Sequence, residues 1–204
     1  SPIPGSAALL VQALSGGAAR ASILGSNIHN PFNDGGPELF DRAGQGRVDA
    51  FFLGGGQIDG EANINLVGTG PYPEADTRFP GSFGSAYLYF TVPRVILFRE
   101  EHSRRVFVDK VDFISAPGWS PPGVYRPGGP HALITSLCIF LYDKERHCFL
   151  LDGLLPGATL EEVRDNTGFD FECPESVGPV APPEPERVDL IHSLIAEEIA
   201  DLVL

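Results

Sequence analysis

Methionine is absent from all 204 residues, tryptophan occurs once (Trp119), and cysteine three times, at Cys138, Cys148 and Cys173. The missing initiator leads to the expectation that a natural N-terminal stretch precedes Ser1. Three cysteines without a C-x-x-C pair do not make a disulfide framework; they fit a reducing compartment, so a cytoplasmic location is expected. Basic residues are scarce, 14 Lys and Arg against 27 Asp and Glu, for a net charge of −13. That balance argues against a nucleic-acid partner, since phosphate backbones are held by clustered Lys and Arg. No run approaches the ~18–20 apolar residues that cross a bilayer, so no membrane span is expected. The opening Ser-Pro-Ile-Pro-Gly lacks the basic-then-apolar order of a signal peptide. The histidines are scattered, and the adjacent His147 and Cys148 point to opposite faces of any strand, whereas a zinc site needs closely spaced pairs. No metal is expected. Neither a Gly-Lys-Ser/Thr phosphate loop nor a G-x-S-x-G elbow occurs.

What is present is a globular composition, 43% hydrophobic and 20% charged, of a length that suits one domain. Twenty-four glycines and nineteen prolines predict many turns. Residues 6–14 (SAALLVQAL) read as a helix capped by Ser6 and stopped at Gly16-Gly17. Residues 21–24 (ASIL) read as a short buried strand. PELFDRA from Pro37 reads as a helix with Gly44 beyond its end, and residues 48–53 (VDAFFL) as a second strand. Further strands are expected at residues 62–67, 94–98, 106–114, 132–141 and 148–151, with a hairpin loop at residues 142–146. Thr159 and Glu162 fit a capping box for a helix ending near Gly168. Residues 180–187, with Pro182, Pro183 and Pro185, read as a stiff linker. Val188, Ile191, Ile195, Ile199 and Leu202 recur at helical spacing, so residues 188–204 read as a C-terminal amphipathic helix. The alternation of helix and strand predicts an α/β fold with an open, mostly parallel sheet and flanking helices, in a single domain over residues 1–204.

Two small-residue loops are candidates for ligand contact. Gly54-Gly55-Gly56-Gln57 follows the VDAFFL strand, and glycines at a strand's C-terminal end let backbone approach a ligand. A tight turn is an equally good account of them. Gly81-Ser82-Phe83-Gly84-Ser85 is a second such loop, able to aim amides at an acyl oxygen or simply to turn the chain. Asn63 and Asn65 alternate onto one strand face, where satisfying loop carbonyls is the favoured role. His29 follows the ASIL strand and is placed like a site residue, though a structural histidine fits as well. Arg104 and Arg105 beside His102 form a basic spot suited to a phosphate or carboxylate, or to a solvated turn.

Five segments taken together resemble one family. They are FLGGGQIDGEANIN (residues 52–65), TRFPGSFGSA (77–86), SRRVFVDKVDFISAPGW (103–119), ALITSLCIF (132–140) and LPGATLEEVRDNTGFDF (155–171). In order and spacing they are similar to the beta subunit of class I coenzyme A transferases, of the glutaconate CoA-transferase type.

The resemblance implies the open α/β coenzyme A transferase fold, an alpha-type partner subunit in a heterodimer or heterotetramer, and an active site at the subunit interface. It implies a coenzyme A thioester as substrate and no permanently bound cofactor. In the transferases a beta-subunit glutamate attacks the acyl-CoA as a covalent nucleophile. The loops at Gly54, Gly55, Gly56 and Gln57 and at Gly81, Ser82, Phe83, Gly84 and Ser85 resemble those lining the acyl site. The glutamate follows a short strand in a pattern like I-V-E-S-G. Aligned with Ile23-Leu24-Gly25-Ser26-Asn27, Gly25 takes its place, leaving Ser26 and His29 as the nearby candidates. Phe83 and Ser85 stand where transferases carry small Gly or Ala. Relatives without the glutamate act as ring-opening hydrolases on steroid-derived CoA thioesters or as decarboxylases of glutaconyl-type thioesters, with the key carboxylate on the alpha subunit. Three readings remain open: such a hydrolase or decarboxylase subunit, a true transferase with a shifted alignment, and a non-catalytic wall of the acyl-CoA pocket.

Overall fold

The computed structural model describes residues 2–200. They gather into two compact units, one of residues up to Asp41 with those from Ala181 onward, the other of Arg42–Val180.

In the first unit, α1 spans Pro2–Leu14, four residues longer at its start than the sequence predicts. Ser6 is therefore not the cap; its hydroxyl donates to the Pro2 carbonyl at 2.9 Å. Pro2 and Pro4 sit in the first turn, where a missing N–H costs nothing because those groups have no intrahelical partner. The helix α2 (Gly36–Gly44) follows the predicted PELFDRA, but Gly44 is its last residue. The left-handed residue after it is Gly46 (φ 70), and the Arg47 N–H reaches back to the Arg42 carbonyl at 2.9 Å, closing the end of the helix.

The predicted strand at residues 21–24 does not form. Its main-chain groups are taken locally: the Ala21 N–H by the Gln12 side chain and the Ile23 N–H by the His29 carbonyl. At the other end of the chain, Pro185 opens a helix instead of closing a linker. It is a first-turn proline of α3 (Pro185–Leu190), which runs on through a π turn (Ile191–Ile195) into α4 (Ala196–Glu198). The π turn takes an extra residue per turn and rotates the apolar face. Ile195 is buried, while Leu202 and the last part of the predicted helix lie outside the described residues.

The second unit is built on a five-stranded sheet. In chain order its strands are β1 (Ala50–Leu53), β2 (Arg94–Arg99), β3 (Pro130–Thr135), β4 (Cys138–Asp143) and β5 (Cys148–Leu154), and they lie side by side in that order. β1, β2 and β3 are parallel; β3, β4 and β5 form an antiparallel meander. Four strands therefore point one way and β4 alone opposes them, in agreement with the predicted open, mostly parallel sheet. A short helix, α5 (Ser85–Thr91), lies in the crossover from β1 to β2. The capping box holds as predicted. The Thr159 hydroxyl receives the Glu162 N–H and Glu162 receives the Thr159 N–H, starting α6 at Leu160–Asn166.

Of the strand predicted at residues 62–67 only Ile64–Asn65 forms, and two further strand predictions fail for identifiable reasons. Residues 132–141 are not one strand but the end of β3 and the start of β4. The Thr135 hydroxyl accepts the Leu137 and Cys138 N–H groups, each at 3.1 Å, and so builds a turn without Gly, Pro, Asn or Asp. Residues 106–114 make a single parallel bridge and no strand: Val106 and Val108 pair with Ile58, at 2.8 and 3.0 Å, while the Val111 and Asp112 amides go to the Asp59 and Gln57 side chains.

The core on one sheet face is aromatic. Phe140, Phe149, Phe107 and Phe169 are buried, with ring centroids 5.4 Å apart for Phe149 and Phe169 and 5.9 Å for Phe140 and Phe149. His102 enters this cluster edge-on, 4.7 Å from Phe107. Its Nδ1 lies 2.8 Å from the Thr135 hydroxyl and its Nε2 2.9 Å from the Thr167 hydroxyl. The Thr167 proton is committed elsewhere, so the ring carries its own proton on Nε2, donating to Thr167, and Nδ1 is the acceptor facing the Thr135 hydroxyl, which also lies 3.2 Å from the Cys138 carbonyl. Thr167 in turn donates to the Val163 carbonyl at 2.6 Å. The ring therefore ties the end of β3 to the end of α6 as a neutral group.

Burial holds the His102 imidazole down at about 4, from an ordinary 6.5. The unfolded chain takes up this proton near pH 6.5, the folded one only near 4, so the stability contributed is full above 6.5 and lost as pH falls towards 4. Chemical denaturation from pH 7.5 to 4.5 is expected to show wild type losing about 2 kcal/mol more than His102→Gln. Equal losses in the two proteins would contradict this account.

Candidate functional site

Ligands of open α/β sheets sit outside the carboxyl ends of the parallel strands. Here those ends are Leu53 of β1, Arg99 of β2 and Thr135 of β3. Gly54-Gly55-Gly56 leaves β1 at this edge and leads into a small antiparallel pair, β6 (Gln57–Ile58) with β7 (Ile64–Asn65). Close packing explains two of these glycines. A Cβ on Gly55 would meet Ile64 at 2.8 Å, and one on Gly56 would overlap the Phe79 ring. The Gly56 N–H donates to the Asn65 carbonyl at 2.9 Å.

The turn beyond is held by buried side chains. Asn65 is fully buried; its Nδ2 donates to Gln57 Oε1 and to the Gly68 carbonyl, both at 2.7 Å. Its Oδ1 accepts from the Val67 and Gly68 amides at 2.9 and 3.2 Å. Gln57 is likewise committed inward, accepting the Asp112 N–H at 3.0 Å and donating to Asp112 Oδ2 at 3.2 Å. Asp112 Oδ2 also receives the Gly70 N–H at 3.0 Å. Asn63 donates to Asp59 and accepts the Gly118 N–H at 3.1 Å. Asn65 thus satisfies a loop carbonyl, the role the sequence favoured, whereas Asn63 serves the Asp59 carboxylate and the Gly118 amide. The far side of the turn hangs on two phenols: Tyr89 donates to the Ala62 carbonyl at 2.8 Å and Tyr142 to the Glu61 carbonyl at 2.9 Å. Burial pushes both phenol pKa values up, so both stay protonated donors.

The two glycine loops meet. Phe79, whose ring covers Gly56, opens the segment that carries Gly81 (φ 108), Phe83 (φ 39) and Gly84 (φ 66) before α5 begins at Ser85. The Ser85 N–H donates to the Ser82 carbonyl at 2.8 Å. The Ser85 hydroxyl is buried and has no hydrogen-bond partner among the described residues. A buried orphan hydroxyl calls for an explanation. Phe83 exposes 66% of its surface at the loop tip.

The segment aligned with the nucleophile lies in the first unit. Gly25 is inside a turn closed by the Ser26 N–H on the Ile23 carbonyl at 3.0 Å. Ser26 is buried, and its hydroxyl oxygen receives the Ile28 and His29 amides at 3.1 and 3.0 Å, a turn-stabilising arrangement. His29 Nε2 lies 3.0 Å from Glu198 Oε2. The sequence singles out His29 and gives His102 only as a neighbour of Arg104 and Arg105, yet His102 is the histidine the fold buries among aromatic rings. Cys138 is buried and its thiol pushed up to about 12, which leaves it unreactive. Among the described residues no group of His, Cys, Asp and Glu is arranged to hold a metal, and no helix is long and apolar enough to cross a membrane.

Comparison with known proteins places these features in context. Residues 6–166 match the family described as Coenzyme A transferase. The chain is 35% identical over 161 residues to the B-type subunit of the 3-oxoadipate CoA-transferase of Pseudomonas knackmussii, covering 76% of this chain and 62% of that protein. It is 29% identical over 162 residues to the cholesterol ring-cleaving hydrolase IpdB subunit of Rhodococcus jostii, covering 78% and 63%. Among solved structures, the decarboxylase AibA/AibB superposes with a TM-score of 0.66 at 29% identity, over 76% of this chain and 61% of that one. The chain thus spans a little over three fifths of the length of these relatives.

Asp59 is the strongest test of the turn's construction. Its carboxylate accepts the Glu61 N–H at 3.1 Å, the Asn63 N–H at 3.0 Å, Asn63 Nδ2 at 3.1 Å and the Val111 N–H at 3.4 Å. Burial raises its pKa, and the bonds from Asn63, Val111 and Glu61 oppose that shift. Asp59→Asn replaces one acceptor oxygen by a donor facing donors and is expected to cost about 1–3 kcal/mol in denaturant unfolding. Unchanged stability would contradict this wiring.

Proposed function

The chain belongs to the coenzyme A transferase family, and from that premise we propose that it is the beta-type subunit of a heteromeric enzyme acting on a coenzyme A thioester by hydrolysis, ring opening or decarboxylation. The subunit is of the glutaconate CoA-transferase type, and its partner is an alpha-type subunit. The observation that carries the reading is residue 25. A glycine has no side chain with which to form an acyl anhydride, so a transferase mechanism through this position has no nucleophile.

The neighbours do not replace it. The Ser26 hydroxyl oxygen is engaged by two backbone amides, and His29 faces Glu198. In this reading the chain supplies surface and orientation. The glycine loops let backbone approach the acyl group, Ser85 offers a hydroxyl, and the reactive carboxylate comes from the partner. Positioning of this kind contributes to rate by holding the reacting atoms in a productive geometry. The 35% identity to a transferase subunit favours a second reading, a working transferase whose nucleophile lies a few residues from position 25.

One experiment separates the two. The chain is produced with its alpha-type partner, supplied with an acyl-CoA, and offered acetate or glutaconate as acceptor. Conversion of the acyl-CoA to a new product without CoA transfer to the acceptor, and without any acyl or CoA adduct on this chain by mass spectrometry, is expected. Transfer to the acceptor with a trapped adduct on this chain would overturn the proposal.

A further inference from the structure

The sequence places two arginines side by side at Arg104 and Arg105, and the fold gives them different surroundings. Arg105 is neutralised by Glu101, with Nη2 2.6 Å from Oε2 and Nε 3.2 Å from Oε1. Arg104 points elsewhere. Its Nε donates to the Asp165 carbonyl at 2.7 Å, which caps the end of α6 and fixes the guanidinium plane while leaving both terminal nitrogens for another partner. A cavity of about 390 Å³ opens there, lined by Arg104, by Arg164 from the last turn of α6, and by Thr167, Asp170 and Cys173.

On a chain with 14 basic and 27 acidic residues, two guanidinium groups in one cavity are conspicuous. Other arginines are already engaged. Arg99 and Arg105 pair with Glu101, Arg146 with Glu172 and Arg187 with Glu184, and Arg126 lies against the Tyr89 ring. Arg164 enters no ion pair among the described residues. Against the two positive charges the lining sets one carboxylate, that of Asp170. Planar forked donors match the oxygens of a phosphate.

We propose that the cavity between Arg104 and Arg164 is a phosphate-binding site. Its ligand is a phosphate group, carried by coenzyme A or free in solution. The coenzyme A source rests on the reading given under Proposed function; the anion chemistry does not.

The test is calorimetric titration of the purified complex with coenzyme A, with pantetheine, which lacks the phosphates, and with inorganic phosphate. Arg164→Gln is the principal variant, being exposed on a helix surface; Arg104→Gln is the second, checked by its melting temperature. Arg105→Gln is the control, since its partner is Glu101. The two cavity variants are expected to weaken coenzyme A binding roughly tenfold to a hundredfold, to leave pantetheine unchanged, and to match wild type in fold. If inorganic phosphate binding is lost in these variants while coenzyme A binding is not, the site stands and its ligand is the free anion. If folded Arg164→Gln binds both coenzyme A and phosphate as wild type does, the proposal is wrong. Failure of the enzyme reading shows separately, as a wild-type complex that neither binds nor turns over any acyl-CoA.

Discussion

The carboxamide of Asn65 makes every hydrogen bond it is capable of making, and it makes them in a site with no access to water. It donates to the Gln57 side chain and the Gly68 carbonyl and accepts the Val67 and Gly68 amides. A buried amide satisfied on all sides is specific about geometry, because any displacement leaves a polar group unpaired in a low-dielectric interior. Through Gln57 the same group reaches Asp112, and Asp112 holds the Gly70 amide. Three stretches distant in sequence, the glycine loop after β1, the turn at residues 67–70 and the segment near residue 112, are thereby locked to one another. The close approach of Phe79 to Gly56 then places the second glycine loop against the first.

This arrangement shifts the meaning of the residues that make the site. Gln57, Asn63, Asn65 and Asp59 resemble a polar active-site lining when read as a string, yet they spend their hydrogen bonds on the protein's own backbone, on one another's side chains and on that of Asp112. What remains is small-residue backbone at the loop surfaces and, beneath it, the buried Ser85 hydroxyl. That division suits a subunit that shapes and orients a thioester while another chain supplies the reactive group. Under the proposed function an acidic chain would handle a polyanion: among the described residues four of its twelve arginines pair with carboxylates, and Arg104 and Arg164 line one cavity.

Much of this was legible in the sequence. The capping box at Thr159, the helix at residues 37–43 and the strands at residues 50–53 and 94–99 follow from local signals that no tertiary contact overrides. Residues 106–114 are apolar enough for a strand, but only one bridge to Ile58 forms, and the Val111 and Asp112 amides are taken by the Asp59 and Gln57 side chains, a demand written tens of residues upstream. The hairpin between β3 and β4 was hidden because a threonine hydroxyl makes the turn that Gly or Asn usually makes. Residues 21–24 are apolar enough for a strand, yet Gln12 and His29 satisfy their amides first. At the candidate site, the glycines mark two loops, and glycine spacing alone leaves a tight turn as good an account of them as ligand contact. That their glycines answer to Ile64 and the Phe79 ring could not be read there, since both contacts exist only after the chain has folded.

The central claim, that one buried carboxamide network holds the loops in place, is tested most directly by amide hydrogen exchange on Asn65→Ala. Loss of the network is expected to speed exchange at Val67, Gly68, Gly70 and Asp112 by tenfold or more, while the Leu97 and Leu133 amides in the middle of the sheet keep their wild-type protection. Unchanged exchange at those four loop amides, or an equal loss of protection across the whole sheet, would contradict it.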